Sequence, residues 1–80
     1  MVEKLPSSRI VGAKQTIKAI KASKVEVVYI AENADQKVIK PIVDCCKEQG
    51  VEVITIPTMQ KLGLLCNIDV GAATACIIKE

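Results

Sequence analysis

Gly12, Lys14, Gln15 and Lys18 fall within seven residues of one another and offer the most specific chemistry in this 80-residue sequence. A glycine lets the chain turn closely into a helix, whose free N–H groups and dipole attract anions. Lysines neutralise phosphate or donate to guanine O6 and N7, and a glutamine amide both donates and accepts at a base edge. That combination suits a folded nucleic acid. Taken alone, Gln15 is equally an ordinary solvated helix residue, and a lysine-rich helix face is often only solvated.

A second candidate lies near the end of the chain, in Asn67-Ile68-Asp69-Val70-Gly71-Ala72. Ile68 and Val70 are apolar where a connecting loop is expected to be polar. They can fold back onto the core, or form an exposed tip that packs against an unstacked base or sugar. The two readings stay open at this point.

Other chemistries fare poorly. The sequence has no His, Trp or Phe, and Tyr29 is its only aromatic residue. The commonest general base and metal ligand is therefore missing, and one ring cannot form the stacking platforms of single-strand binders. Cys45, Cys46, Cys66 and Cys76 show no C-x-x-C spacing and have no His to complete a zinc set, so they read as small reduced core residues. Ser7 and Ser8 have no base and no nucleophile-elbow glycines beside them. Glu32, Asp35 and Asp69 could pair as acids, but Asp35 is more simply a helix N-cap. The segment Gly12-Ala13-Lys14-Gln15-Thr16 lacks the Gly-Lys-Ser/Thr arrangement of a phosphate loop. No enzyme, cofactor or metal site is expected.

Charge sharpens the first candidate. The formal net charge is only +2, but residues 1–24 hold six cations against Glu3 alone, a balance of +5. The remaining residues hold five lysines against eight acids, a balance of −3. Clustered positive charge favours anionic partners. No apolar run approaches the ~20 residues of a membrane span, and residues 1–8 lack the apolar centre of a signal peptide. The expectation is a cytoplasmic protein without membrane or small-molecule partner.

The elements that must position these residues are legible as alternating patterns. Residues 25–31, 51–56 and 72–78 are Val- or Ile-rich and nearly continuous, as in strands buried on both faces, with a short fourth strand at Arg9-Ile10-Val11. Helical spacing runs over 13–22, with Ala13, Ile17 and Ile20 on one face and Lys14, Lys18 and Lys21 on another. A second helix over 35–49 carries the stripe Val38, Ile39, Ile42, Val43, Cys46, is expected to kink or restart at Pro41, and ends at Gly50. A third starts with Thr58 as N-cap, buries Met59, Leu62, Leu65 and Cys66, and stops at Asn67. Strands alternating with helices predict one domain over residues 1–80, a three-layer α/β/α sandwich around a small mixed sheet of about four strands.

The ordered set Gly12-Ala13-Lys14-Gln15-Thr16-Ile17-Lys18, Ile30-Ala31-Glu32-Asn33-Ala34-Asp35, Lys61-Leu62-Gly63 and Ile68-Asp69-Val70-Gly71-Ala72-Ala73 resembles the kink-turn RNA-binding ribosomal protein family, that of the archaeal large-subunit protein L-seven-Ae. Within it, the small bacterial YbxF-like and YlxQ-like members look most similar. The resemblance runs from about residue 8 to 78. It implies an α/β/α sandwich that binds a kink-turn, an RNA helix bent sharply at a bulge beside tandem sheared G·A pairs. It further implies that the helix after Gly12 and Ala13 enters the major groove, with Lys14, Gln15 and Lys18 at guanine edges. The loop Ile68, Asp69, Val70, Gly71, Ala72 would cover the flipped-out nucleotide, with Glu32 beside this surface. Archaeal and eukaryotic members typically carry Asn-Glu where this chain has Lys14-Gln15, a change that adds charge and a donor.

The resulting expectation is a monomeric, non-enzymatic protein that stabilises kink-turns in ribosomal or regulatory RNA, with the ribosome as a candidate site of action. One alternative is a general ribosomal- or transfer-RNA-binding domain of the same fold. Another is a protein-interaction module anchored by Ile68 and Val70.

Overall fold

The structure, a computed structural model, describes residues 9–79. The Ser7–Ser8 pair and the N-terminal reading of residues 1–8 lie outside the described residues. Strand and helix patterns alternate as β1 (Arg9–Val11), α1 (Ala13–Lys21), β2 (Val25–Ala31), α2 (Gln36–Gln49), β3 (Glu52–Ile56), α3 (Met59–Leu65) and β4 (Thr74–Ile78). The strands form one mixed sheet in the order β1-β4-β2-β3. β4 is antiparallel to both neighbours, while β2 and β3 are parallel. A parallel pair needs a long crossover, and α2 supplies it.

Alternate strand residues feed two hydrophobic clusters, giving the expected three layers. Val28 and Cys76 join Ala19 and Ile20 of α1 and Ile42 and Cys46 of α2 in one. Ala31 and Ala75 join Leu62 and Cys66 in the other, where α2 also contributes Ile39. Glu26 is the extra residue of a β-bulge, since the β2–β4 register shifts between Val25 and Val27.

Three expectations change. β3 was expected to be buried on both faces, but it is the sheet edge, with Glu52 and Thr55 exposed. Apolar content reports burial of a strand in general; it does not report which neighbours the strand finds. Ala72 and Ala73 precede β4 rather than open it. Pro41 does not restart a second helix, because α2 is continuous across it. Both Pro41 and Lys37, whose carbonyl loses its usual donor, are exposed, so water can replace the missing bond.

All three helices end with the same turn. Ser23, Gly50 and Asn67 adopt left-handed backbone, with φ of 58°, 68° and 61°. After each, the next N–H returns to the last turn: Lys24 to Ala19, Val51 to Cys46, Ile68 to Gly63. This is the Schellman closure. Gly50 and Asn67 suit the conformation, whereas Ser23 holds it against its own Cβ.

The cysteines are free, and Cys46, Cys66 and Cys76 are buried while Cys45 is half-buried. Burial pushes all three buried thiols above their ordinary value of 9.0. The neighbouring Cys45 and Cys76 reinforce this at Cys46, and Arg9 opposes it at Cys66. At Cys76 the Thr16 hydroxyl and the Ile10 backbone oppose it. Thr16 Oγ1 is itself buried without a well-formed hydrogen bond among the described residues, its neighbour being that weakly bonding thiol.

Ser23→Gly relieves the left-handed strain and should stabilise the fold by up to about 1 kcal/mol, seen as a higher urea midpoint. The thiols remain neutral in the folded chain but ionise near their ordinary value when it unfolds, so stability should fall as pH rises above that value. In the native state Cys46, Cys66 and Cys76 should react with a thiol reagent far more slowly than in urea.

Candidate nucleic-acid interface

Strand directions bring the candidate residues to one end of the sheet. β1, β2 and β3 finish at this end and β4 begins there, as the pairs Val11–Ala75, Ile30–Thr74 and Ala31–Ile56 require. The connections that leave or enter here contain Gly12, Glu32, Pro57 and the 67–73 loop.

Backbone hydrogen bonds join these connections. The Gly12 N–H donates to the Thr74 carbonyl at 3.1 Å, and the Ala31 N–H donates to the Ala73 carbonyl at 2.9 Å. The Glu32 N–H donates to the Ile56 carbonyl at 2.8 Å, and the Ala72 N–H to the Met59 carbonyl at 3.0 Å. The start of α1 and the late loop therefore meet at the first residue of β4.

The helix starts at this end differ in a way that bears on anion binding. At α2 the Asp35 carboxylate accepts from the Lys37 N–H at 2.9 Å. At α3 Thr58 Oγ1 accepts from the Lys61 N–H at 3.0 Å, and Asn33 Oδ1 reaches across to accept from the Met59 N–H at 2.8 Å. These side chains satisfy donors that a helix leaves open. α1 has no side-chain cap, and Gly12 stands at its N-cap in an extended positive-φ conformation (φ 112°); its first turn, like those of α2 and α3, holds no acid. Lys14 then adds positive charge beside the positive dipole end. In isolation that placement is unfavourable; opposite an anion it is favourable.

The candidate residues separate by exposure. Lys14, Gln15 and Lys18 are exposed on α1, as are Glu32, Asp69, Val70 and Gly71. Ala13 is half-buried against the first cluster, and Ala72 is buried, so its role is its backbone bond. The two readings of the apolar loop are each right for one residue. Ile68 packs against the second cluster, whereas Val70 is 70% exposed.

Gly63 explains this split. A Cβ added there would overlap the Val70 carbonyl oxygen and approach the Gly71 Cα to 3.3 Å. The loop backbone rests on the α3 surface because Gly63 leaves room for it. Sequence reasoning placed Gly63 and Asn33 in recognisable segments without giving either a task; their supporting roles depend on contacts across the fold. Leu64 was also missed, although it stands off the α3 stripe of Leu62, Leu65 and Cys66, and it is 62% exposed.

Gly63→Ala should cost about 1–3 kcal/mol through overpacking. It should also speed amide exchange at Ala72, the donor that ties the loop to Met59. An unchanged Ala72 exchange rate would show that Gly63 does not hold the loop.

A model of the Ribosomal protein L7Ae/L30e/S12e/Gadd45 family matches residues 5–80. An RNA-binding protein of Caldanaerobacter subterraneus is 52% identical over 94% of this chain and 92% of its own length. The RNA-binding protein YbxF of Geobacillus stearothermophilus is 39% identical over 88% of this chain and 85% of its own. Among solved structures, the Giardia lamblia 15.5kD RNA binding protein superposes with a TM-score of 0.86 at 30% identity, covering 91% of this chain and 62% of that one. The family model spans the residues that form the sheet end described above, and the chain belongs to the Ribosomal protein L7Ae/L30e/S12e/Gadd45 family.

Proposed function

We propose that this protein is a non-enzymatic RNA-binding protein that recognises and stabilises kink-turns in ribosomal or regulatory RNA. The observation that carries the reading is the uncapped, lysine-bearing start of α1 fixed beside an exposed apolar loop tip. An RNA-binding relative that shares 52% of the aligned residues supports it.

In this reading the first turn of α1 enters the widened major groove at the sheared G·A pairs. Gln15 and Lys18 meet base edges, and Lys14 meets a guanine or a phosphate. Val70 covers the extruded nucleotide of the bulge, while Ile68 anchors the loop from beneath. Glu32, Asp69 and Gly71 border the contact. Binding favours the bent RNA over its extended form by differential affinity alone, with no covalent step. Recognition rests on shape and polar edges because no aromatic platform is present.

Affinity should be measured for a kink-turn duplex and for a duplex with its G·A pairs replaced by Watson–Crick pairs. The expected result is clear preference for the first, with Gln15→Ala and Lys18→Ala each losing about 1–3 kcal/mol on it alone. Equal affinity for both duplexes would instead favour general RNA binding governed by charge.

A further inference from the structure

The first turn of α1 does not use all of its positive charge. Lys14, Lys18 and Lys21 are exposed and spaced i, i+4, i+7, so they follow one side of the helix for about 10 Å. Lys24 is exposed just beyond the helix. Its backbone is held on both sides: its N–H donates to the Ala19 carbonyl at 3.1 Å, and its carbonyl accepts from the Lys79 N–H at 2.7 Å. Lys79 thus brings another exposed lysine to the same end.

A groove of about 340 Å³ lies beside this row and shares Lys18 with it, lined further by Gln15 and Lys24 with Ile10, Ala22 and Ile78. Among the described residues, no carboxylate lines it. Among the described residues, no ion pair engages Lys14, Lys18, Lys21 or Lys24. One contribution of Lys18 and Lys21 is internal, because cations in the last turn complement the helix dipole. That explanation does not reach Lys24, which stands past the helix end.

We infer that the far half of α1 grips the phosphate backbone of a double-stranded arm adjoining the recognised RNA motif, through Lys24 at the end of this groove and Lys21 on the lysine row beside it. This rests on the kink-turn reading and extends it: the helix start reads the motif, and the helix end holds the stem leaving it. Phosphate is the suitable partner because flexible ammonium groups neutralise a regular line of charge without base readout.

The test uses the full chain, a kink-turn RNA with both arms long, and two versions with one arm trimmed to the motif. In wild type, trimming one particular arm should lower affinity and flatten the dependence of log K on log salt. The Lys21→Gln/Lys24→Gln double variant should bind the long-armed RNA more weakly, with a salt slope reduced by about 0.7–0.9 for each phosphate it no longer neutralises. It should be insensitive to trimming that arm and should retain preference for the G·A pairs. Lys21→Arg/Lys24→Arg should restore the slope, and urea midpoints identify any weakening due to folding. A double variant with unchanged slope and unchanged arm dependence overturns the inference while leaving the kink-turn reading intact. Absence of G·A preference in wild type overturns that reading itself.

Discussion

Three residues, 72–74, hold the surface together. Ala72 donates to Met59 at the start of α3, Ala73 accepts from Ala31 at the end of β2, and Thr74 accepts from Gly12 at the start of α1. Thr74 is fully buried, and its hydroxyl also donates to the Tyr29 carbonyl at 2.8 Å. Buried backbone groups must find partners, and here the partners belong to elements far apart in sequence. The spacing between the α1 start and the Val70 tip is therefore set by the sheet. The proposed recognition of a bent RNA depends on such fixed spacing, because two contacts select a bend only when their separation is constrained.

The helix starts differ in how their open donors are satisfied. Asp35, Thr58 and Asn33 satisfy open donors at α2 and α3, and left-handed turns close all three helices. The start of α1 lacks that side-chain support and carries Lys14 in its first turn. A short isolated helix with this start would be marginal. Burial of Thr16, Ala19 and Ile20 against the sheet and α2 maintains it. Tertiary packing thus supports an electrostatic arrangement that local preferences disfavour, a common trade at functional sites.

Much of the fold was legible because its signals are local. Period and composition marked every helix and strand, Asp35 and Thr58 announced their caps, and Gly50 and Asn67 announced their stops. Ser23 gave no such sign, since serine rarely takes the left-handed turn it occupies. Pro41 misled for a related reason: the general cost of proline in a helix is real, but the exposed face of α2 lets water meet it. Thr16 was hidden inside a run that spacing alone assigned to Ala13, Ile17 and Ile20. The buried arc of α1 is rotated toward Thr16 and Ala19 because both the sheet and α2 press on it.

The site shows the same boundary between local and global information. Residue types and spacing alone determined that Gly12, Lys14, Gln15 and Lys18 form a basic helix start without rings to stack on, because these are properties of a single short segment. The sequence also marked Ile68 and Val70 as unusual for a loop. Only tertiary structure decided that Ile68 lies inward and Val70 outward, that β4 inserts between β1 and β2, and that both segments arrive at one sheet end. Those outcomes rest on pairings such as Gly12 with Thr74 and on the missing Cβ of Gly63. They are long-range contacts, and no local pattern of side chains encodes the position of their partners.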